Sequence, residues 1–254
     1  MSAAEDVVEV ATWNVRNGFG LDGFDAWPFR RHAAADALAS LGGDVIGLQE
    51  VYGWQLRSLR RALPRHVALG EGRDRRGGGE RCTLLVGPSV RVLRHRTLWF
   101  SSRPTEPGST LPGASHPRVA TLAELELPGT GRRVVVANAH LDQRREDHRL
   151  TGVELLLGWL DPSLPTIVLG DLNAEPATPP LERLEAAGFT NVLPADASGT
   201  AHQLTGRTDG PRIDHVLLRG GWEVVEAEVV HHRPGGRLPS DHWPIRSAVR
   251  LHPG

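Results

Sequence analysis

The apolar residues of this chain fall mostly in short, β-branched runs that end at glycine, proline or a polar cluster. VVEVATW, DVIGLQEV, HVALG, CTLLVG, VRVLRHRTLWF, RVATLAELEL, RVVVANAHL, TIVLGDL, IDHVLL, WEVVEAEVV and WPIRSAVRL each have the length and composition of a strand. Helical spacing is confined to 28–41, with proline near its start and Gly42-Gly43 beyond its end, and to 54–63, 144–160 and 180–187. Eleven strands and four helices, mixing hairpin-like neighbours with strand–helix–strand units, predict two packed sheets with helices outside. The glycine-rich stretch 71–79 and the proline- and glycine-bearing stretch 101–117 read as mobile rims of a single domain spanning 1–254.

Many of the runs finish on side chains that add nothing to a core. These are Thr12-Trp13-Asn14, Leu48-Gln49-Glu50, Asn138-Ala139-His140-Leu141-Asp142, Gly170-Asp171-Leu172-Asn173, Ile213-Asp214-His215 and Ser240-Asp241-His242-Trp243-Pro244. Burying carboxylates, amides and imidazoles costs desolvation, so several such strand ends imply that they converge on a site. Glu50 with Asn14 makes a partial oxygen shell for Mg²⁺ or Mn²⁺, with surface pairing of Glu50 as the competing reading. Gly170 lets the chain turn, Asp171 can orient a water and Asn173 can donate to a phosphate oxygen; a simple Asx turn competes here. His242, with Asp241 and Asp214, suits proton transfer near neutrality, and His140 adds a second imidazole. His231-His232 reads as an exposed strand end. Arg73, Arg75, Arg76 and Arg81, and Arg144, Arg145 and Arg149, could grip phosphates, although solvated surface is their default role. Together the clusters point to phosphate ester hydrolysis.

Composition narrows this further. With 39% hydrophobic and 23% charged residues over 254 positions, the chain is an ordinary globular one. All 29 basic residues are arginine, which excludes Schiff-base chemistry and a P-loop lysine. A net charge of −1 supplies no global field toward nucleic acid or anionic lipid. The single Cys82 sits in an apolar run and reads as a buried thiol. The acidic start MSAAEDVVEV lacks the pattern of a secretory leader, and no run is long enough to span a bilayer, so a cytoplasmic monomer is expected.

Taken in order, the six clusters resemble the endonuclease/exonuclease/phosphatase superfamily of metal-dependent phosphoesterases, from Thr12 to Pro244. The resemblance implies a four-layer α/β/β/α sandwich, two mixed β-sheets packed face to face with helices outside. It implies Glu50 as the principal metal ligand with Asn14 and Asp241 beside it, and Asp171 and Asn173 as the pair that positions the nucleophilic water and the phosphate. It also implies Asp214 as the carboxylate behind His242, and His140 with Glu80 as its acidic partner. Arg118 opens the following long strand and, with Glu80 and Asp142, is placed near the phosphate or behind the residues that touch it. The absence of a tryptophan–cysteine signature around Asp214, of a cysteine pair and of a lysine after Glu50 sets the chain apart from several known branches.

The function expected is Mg²⁺-dependent hydrolysis of a phosphodiester by in-line water attack, with Mn²⁺ able to substitute and nucleic acid among the candidate substrates. The alternatives are a phosphomonoesterase for a small phosphorylated metabolite and an inactive binding domain. Removing Asp171 or His242 is expected to relieve crowding and leave the fold at least as stable.

Overall fold

The computed structural model describes residues 7–252; the first six residues of the acidic start lie outside the described residues. The first sheet runs β11 (Trp222–Val229), β12 (Ile245–Leu251), β1 (Val7–Asn14), β2 (Val45–Val51), β4 (Arg81–Val86) and β3 (Val67–Leu69). The second runs β5 (Arg91–Trp99), β6 (Val119–Glu126), β7 (Arg133–His140), β8 (Thr166–Asp171), β10 (Asp214–Arg219) and β9 (Thr190–Asn191). Each sheet holds one parallel pair, β1 with β2 and β7 with β8. A parallel pair needs a crossover, and α1 (Trp27–Leu41) and α3 (Glu146–Trp159) provide the two. The remaining helices are α2 (Gly53–Leu59) and α4 (Pro179–Ala186).

The period of two along the strands sorts residues into the layers. Val8 and Val10 of β1, Val134 and Val136 of β7, Ile167 and Leu169 of β8 and Val216 and Leu218 of β10 meet in one core between the sheets. Their neighbours face outward: Ala11 and Trp13 pack with Ala34, Leu38 and Leu41 of α1, and Ala137, Val168 and Leu217 pack with Val153 and Leu156 of α3 and Leu181 and Leu184 of α4. This is the expected α/β/β/α sandwich.

Sequence and structure differ at the edges. β9 has two residues and no sequence signal of its own. The helix anticipated to 63 ends at Leu59, and the last strand begins after Pro244, leaving Trp243 in the preceding loop. The stretches 71–79 and 101–117 are irregular as expected, but they are tied down: Trp99 Nε1 at the end of β5 donates to Arg73 O at 2.7 Å, and within the second stretch the Ser101 and Ser109 hydroxyls are 2.7 Å apart. Among the described residues no helix is long and apolar enough to cross a membrane.

Candidate active site

The inward-facing rows of the inter-sheet core do not stop where their apolar residues stop. By the same alternation, Thr12 and Asn14 continue the row of Val8 and Val10, Asn138 and His140 that of Val134 and Val136, Asp171 that of Ile167 and Leu169, and Asp214 that of Val216 and Leu218. The site is therefore one open end of the core between the two sheets.

The first polar layer crosslinks the sheets. Gln49 Nε2 donates to Asn138 Oδ1 at 2.7 Å and to Thr12 Oγ1 at 3.0 Å, while Asn138 Nδ2 donates to the carbonyls of Leu48 and Thr83. Thr12, Gln49, Thr83 and Asn138 are fully buried. These bonds tie the two sheets together across the core, although Gln49 Oε1 and Thr83 Oγ1 find no partner among the described residues.

The layer beyond it holds the chemistry. Parallel pairing of β7 with β8 sets His140 beside Asp171, and antiparallel pairing of β8 with β10 sets Asp171 beside Asp214, so the three form one row across neighbouring strands. Gly170 makes that row possible: its φ is +138° and a Cβ there would lie 2.0 Å from Ala139 O. His242 arrives from the loop before β12, bridged to Ala201, and its Nδ1 lies 2.7 Å from Asp214 Oδ2. Asp171, Asp214 and His242 each offer an atom within 4.8 Å of the others, a buried group that could hold a metal ion.

Glu50 needs a special device. Alternation along β2 turns Gly47 and Gln49 inward, which would send Glu50 toward the helices. A bulge between Leu48 and Val51, with Glu50 at φ +59°, reverses the parity so that Val51 packs outward and Glu50 turns into the cleft. A non-glycine residue in this region is strained, and such strain gathers at functional sites. Asn17 holds the carboxylate in place: its backbone N–H and its Nδ2 both donate to Oε2 at 3.0 Å.

Asn14 joins the two halves. Its Oδ1 accepts the N–H of Arg16 at 2.9 Å, which turns Nδ2 toward Glu50 Oε1 at 3.1 Å and Asp171 Oδ2 at 2.9 Å. Read from sequence as an oxygen ligand for a metal, Asn14 instead presents an N–H to both carboxylates.

The environments set the proton states. Burial works against a charge on Glu50, but the imidazole of His140, then the N–H groups of Asn17 and Asn14 and the imidazole of His242, outweigh it and hold the pKa at about 2. Burial, and then the charge of Asp214, push Asp171 up to about 7 against the pull of His242 and Asn14. His140 is held far below its usual value by burial and by Arg118, so its ring is neutral. Burial also opposes charge on His242, but Asp214 overcomes it and keeps the imidazolium.

The other expected residues occupy varied places. Asp171 Oδ1 accepts the backbone N–H of Asn173 at 2.9 Å, the Asx geometry weighed from sequence, and Asn173 Nδ2 donates to Leu141 O. Asp241 Oδ2 lies 3.4 Å from Arg16 Nη1, whose Nη2 is 2.9 Å from Asp22. Arg118 reaches the ring nitrogens of His140 at 3.0 Å and Gln143 Oε1 at 2.6 Å. Glu80, expected to partner His140, is instead paired with Arg73 at 2.5 Å; the carboxylate beside His140 is Asp171, with Nε2 to Oδ2 at 3.6 Å. Asp142 accepts the N–H groups of Arg144 and Arg145 at 2.8 Å just ahead of α3 and lies 3.5 Å from His148, which makes it a turn residue. Cys82 is buried, with its Sγ against Val119 O and its thiol pushed up by burial.

Sequence reasoning passed over Asn17 and Arg30. Arg30 is fully buried on α1, and its guanidinium donates to the carbonyls of Val15, Arg16 and Pro239 at 2.8–2.9 Å. It thereby ties the segment after Asn14 to the segment before Asp241. Its signal was present, since Trp27, Arg30, Ala34, Ala37, Leu38 and Leu41 share one helical stripe.

The same fold and topology recur in solved structures. An endonuclease/exonuclease/phosphatase from Bacteroides vulgatus is 26% identical, with a TM-score of 0.88 over 97% of this chain and 99% of its own. The mannosyl-6-phosphatase Bt3783 of Bacteroides thetaiotaomicron is 24% identical, with a TM-score of 0.85 over 95% and 99%. D. rerio TDP2, complexed with a single strand DNA product, is 18% identical, with a TM-score of 0.74 over 96% and 98%. No curated protein sequence matches the chain. The model of the Endonuclease/Exonuclease/phosphatase family matches residues 11–242, through every strand end that forms the cleft. The chain belongs to this family, and it is a hydrolase acting on phosphoester bonds.

Proposed function

We propose that the protein is a Mg²⁺-dependent phosphodiesterase. The observation that carries the reading is the convergence, at one end of the inter-sheet core, of Glu50 held ionised and Asp171 held near neutrality, joined by Asn14 and flanked by the Asp214–His242 pair. The donor set suits a hard cation: Glu50 and Asp241 are oxygen donors, Asp214 Oδ1 is buried without a partner among the described residues, and the thiol of Cys82 is turned to Val119 O. Glu50 would hold the ion, with Asp241, paired to Arg16 at 3.4 Å, as the further oxygen donor. When bound, the ion would polarise the phosphoryl group and offset charge on the leaving oxygen.

The chain's own residues supply the rest. Asp171, fixed by the N–H groups of Asn173 and Asn14, takes a proton from the attacking water as the new P–O bond forms and the ester P–O bond breaks. His242, kept cationic by Asp214, presents its free Nε2–H to a non-bridging oxygen, and neutral His140 adds a donor beside Asp171. A monoanionic diester suits this cleft better than a dianionic monoester, because Arg16, Arg73 and Arg118 are already engaged by Asp22 and Asp241, Glu80, and His140 with Gln143.

The test compares bis(p-nitrophenyl) phosphate with p-nitrophenyl phosphate in Mg²⁺, Mn²⁺, Zn²⁺ and EDTA. The diester should be hydrolysed faster, with Mg²⁺ or Mn²⁺ and not with EDTA. A clear preference for the monoester would favour the metabolite phosphatase reading, for which the likeness to the mannosyl-6-phosphatase speaks. Undiminished turnover in EDTA would overturn the metal.

A further inference from the structure

Asn17 does more than hold Glu50. Its Oδ1 accepts the backbone N–H of Phe19 at 3.2 Å, so one residue positions both the candidate metal ligand and an aromatic ring. Phe19 is 66% exposed. Its ring is T-shaped to that of Tyr52, with centroids 4.8 Å apart, and to that of Trp54 at 5.7 Å. Tyr52 itself follows Glu50 by two residues, so the three rings lie on the Glu50 side of the cleft, joined to it through Asn17.

The loop that carries Phe19 is not slack. Arg16 is paired with Asp22, Arg30 clamps the carbonyls of Val15 and Arg16, and Gly18 packs so closely on Trp54 that a Cβ would fall 2.1 Å from the indole. Yet four of the eight large apolar side chains exposed among the described residues, Phe19, Leu21, Phe24 and Phe29, lie on this loop and the start of α1. A well-tied loop that holds apolar rings in water beside a reaction cleft marks a surface that a ligand covers.

Resting on the phosphodiesterase reading, we infer that Phe19, backed by Tyr52 and Trp54, is a stacking platform for a planar aromatic group joined to the scissile phosphate, either a nucleobase or an aryl ring. With T-shaped contacts to both neighbours and two-thirds of its surface exposed, the Phe19 ring leaves area open to such a partner. Phe19, Leu21 and Phe24 offer a polyol no hydrogen bonds, and Asp22 and Asp25 in the same loop disfavour an anionic lipid surface.

The test uses p-nitrophenyl phosphodiesters whose second substituent is methyl, cyclohexyl, phenyl or thymidin-5′-yl, so that the leaving group is constant. Phe19→Ala should lower the ratio of kcat/KM for the phenyl and thymidinyl esters to that for the methyl ester by about tenfold, and Phe19→Trp should restore it. The relative loss of the phenyl and thymidinyl esters tells aryl from nucleobase. An unchanged ratio would overturn the platform, whether all rates fall together or none do. A cyclohexyl ester that loses as much as the phenyl ester would overturn the aromatic class. The phosphodiesterase reading can fail separately: if the wild type hydrolyses none of the esters, quenching of tryptophan fluorescence by thymidine 5′-phosphate in wild type and Phe19→Ala decides the platform. Quenching lost in the variant supports it, and equal quenching rejects it.

Discussion

Glu50 and Asp171 accept hydrogen bonds from the same amide nitrogen, that of Asn14, yet they rest in opposite proton states. Glu50 faces the imidazoles of His140 and His242 and accepts N–H groups from Asn17 and Asn14, and its pKa falls to about 2. Asp171 is deeper, lies across a strand ladder from Asp214, and rises to about 7. The difference shows that acid and base roles are assigned here by surroundings and not by residue type. One corner keeps a standing anion for a cation; the other keeps a carboxylate that can exchange a proton near neutrality.

Asp171→Asn breaks the comparison most severely. It should fold and lose on the order of 10²–10⁴ in kcat. In EDTA it should also change the pH dependence of stability. Folded wild type retains a proton on Asp171 between the usual value of 3.8 and about 7, whereas the unfolded chain has released it. Wild-type stability should therefore fall as pH rises through that window, and the variant should lose this slope. Melting temperatures from pH 4 to 8 check the sign, and identical slopes would reject the raised pKa.

His242→Ala comes next. The sequence suggested relief of crowding, but Asp214 is fully buried and, among the described residues, its carboxylate is hydrogen-bonded by His242 alone. Stranding that carboxylate should cost about 3–5 kcal/mol, a drop on the order of 10 °C in Tm. His242→Gln, which keeps an N–H, should lose less. A variant melting at the wild-type temperature would mean that Asp214 does not rely on the imidazolium.

Asn17→Ala probes the opposite corner more gently. With its side-chain donor gone and only the backbone N–H of residue 17 left, Glu50 should bind Mn²⁺ about tenfold more weakly by calorimetric titration. Unaltered affinity would move the ion away from Glu50. The smallest effect belongs to Asp142→Ala, which removes the acceptor for two backbone N–H groups ahead of α3. A loss of about 1 kcal/mol in stability, with most activity retained, would confirm a turn residue; collapse of activity would return Asp142 to the site.

Much of this was legible from the strands. Apolar runs ending in polar clusters located β1, β2, β7, β8 and β10 and the residues at their tips. Some polar positions were misjudged in kind: Thr12, Gln49 and Asn138 belong to the same clusters, but they bond to one another between the sheets. Glu80 had a plausible partner in His140 and found a nearer one in Arg73. Asn17 escaped because its partner Glu50 is distant in sequence, which leaves no residue pattern; Arg30 stood on the buried stripe of α1, but its partners are backbone carbonyls that no pattern names.

By itself, the sequence determined the inventory of donors and, through the two-residue period of its strands, that Asn14, His140, Asp171 and Asp214 share the face of the inter-sheet core. The tertiary structure decided the register that sets His140, Asp171 and Asp214 side by side, the bulge that turns Glu50 inward against its parity, and the proton held on Asp171. Alternation is a property of each chain segment alone, whereas register and pKa depend on distances between segments and on the water excluded when they meet.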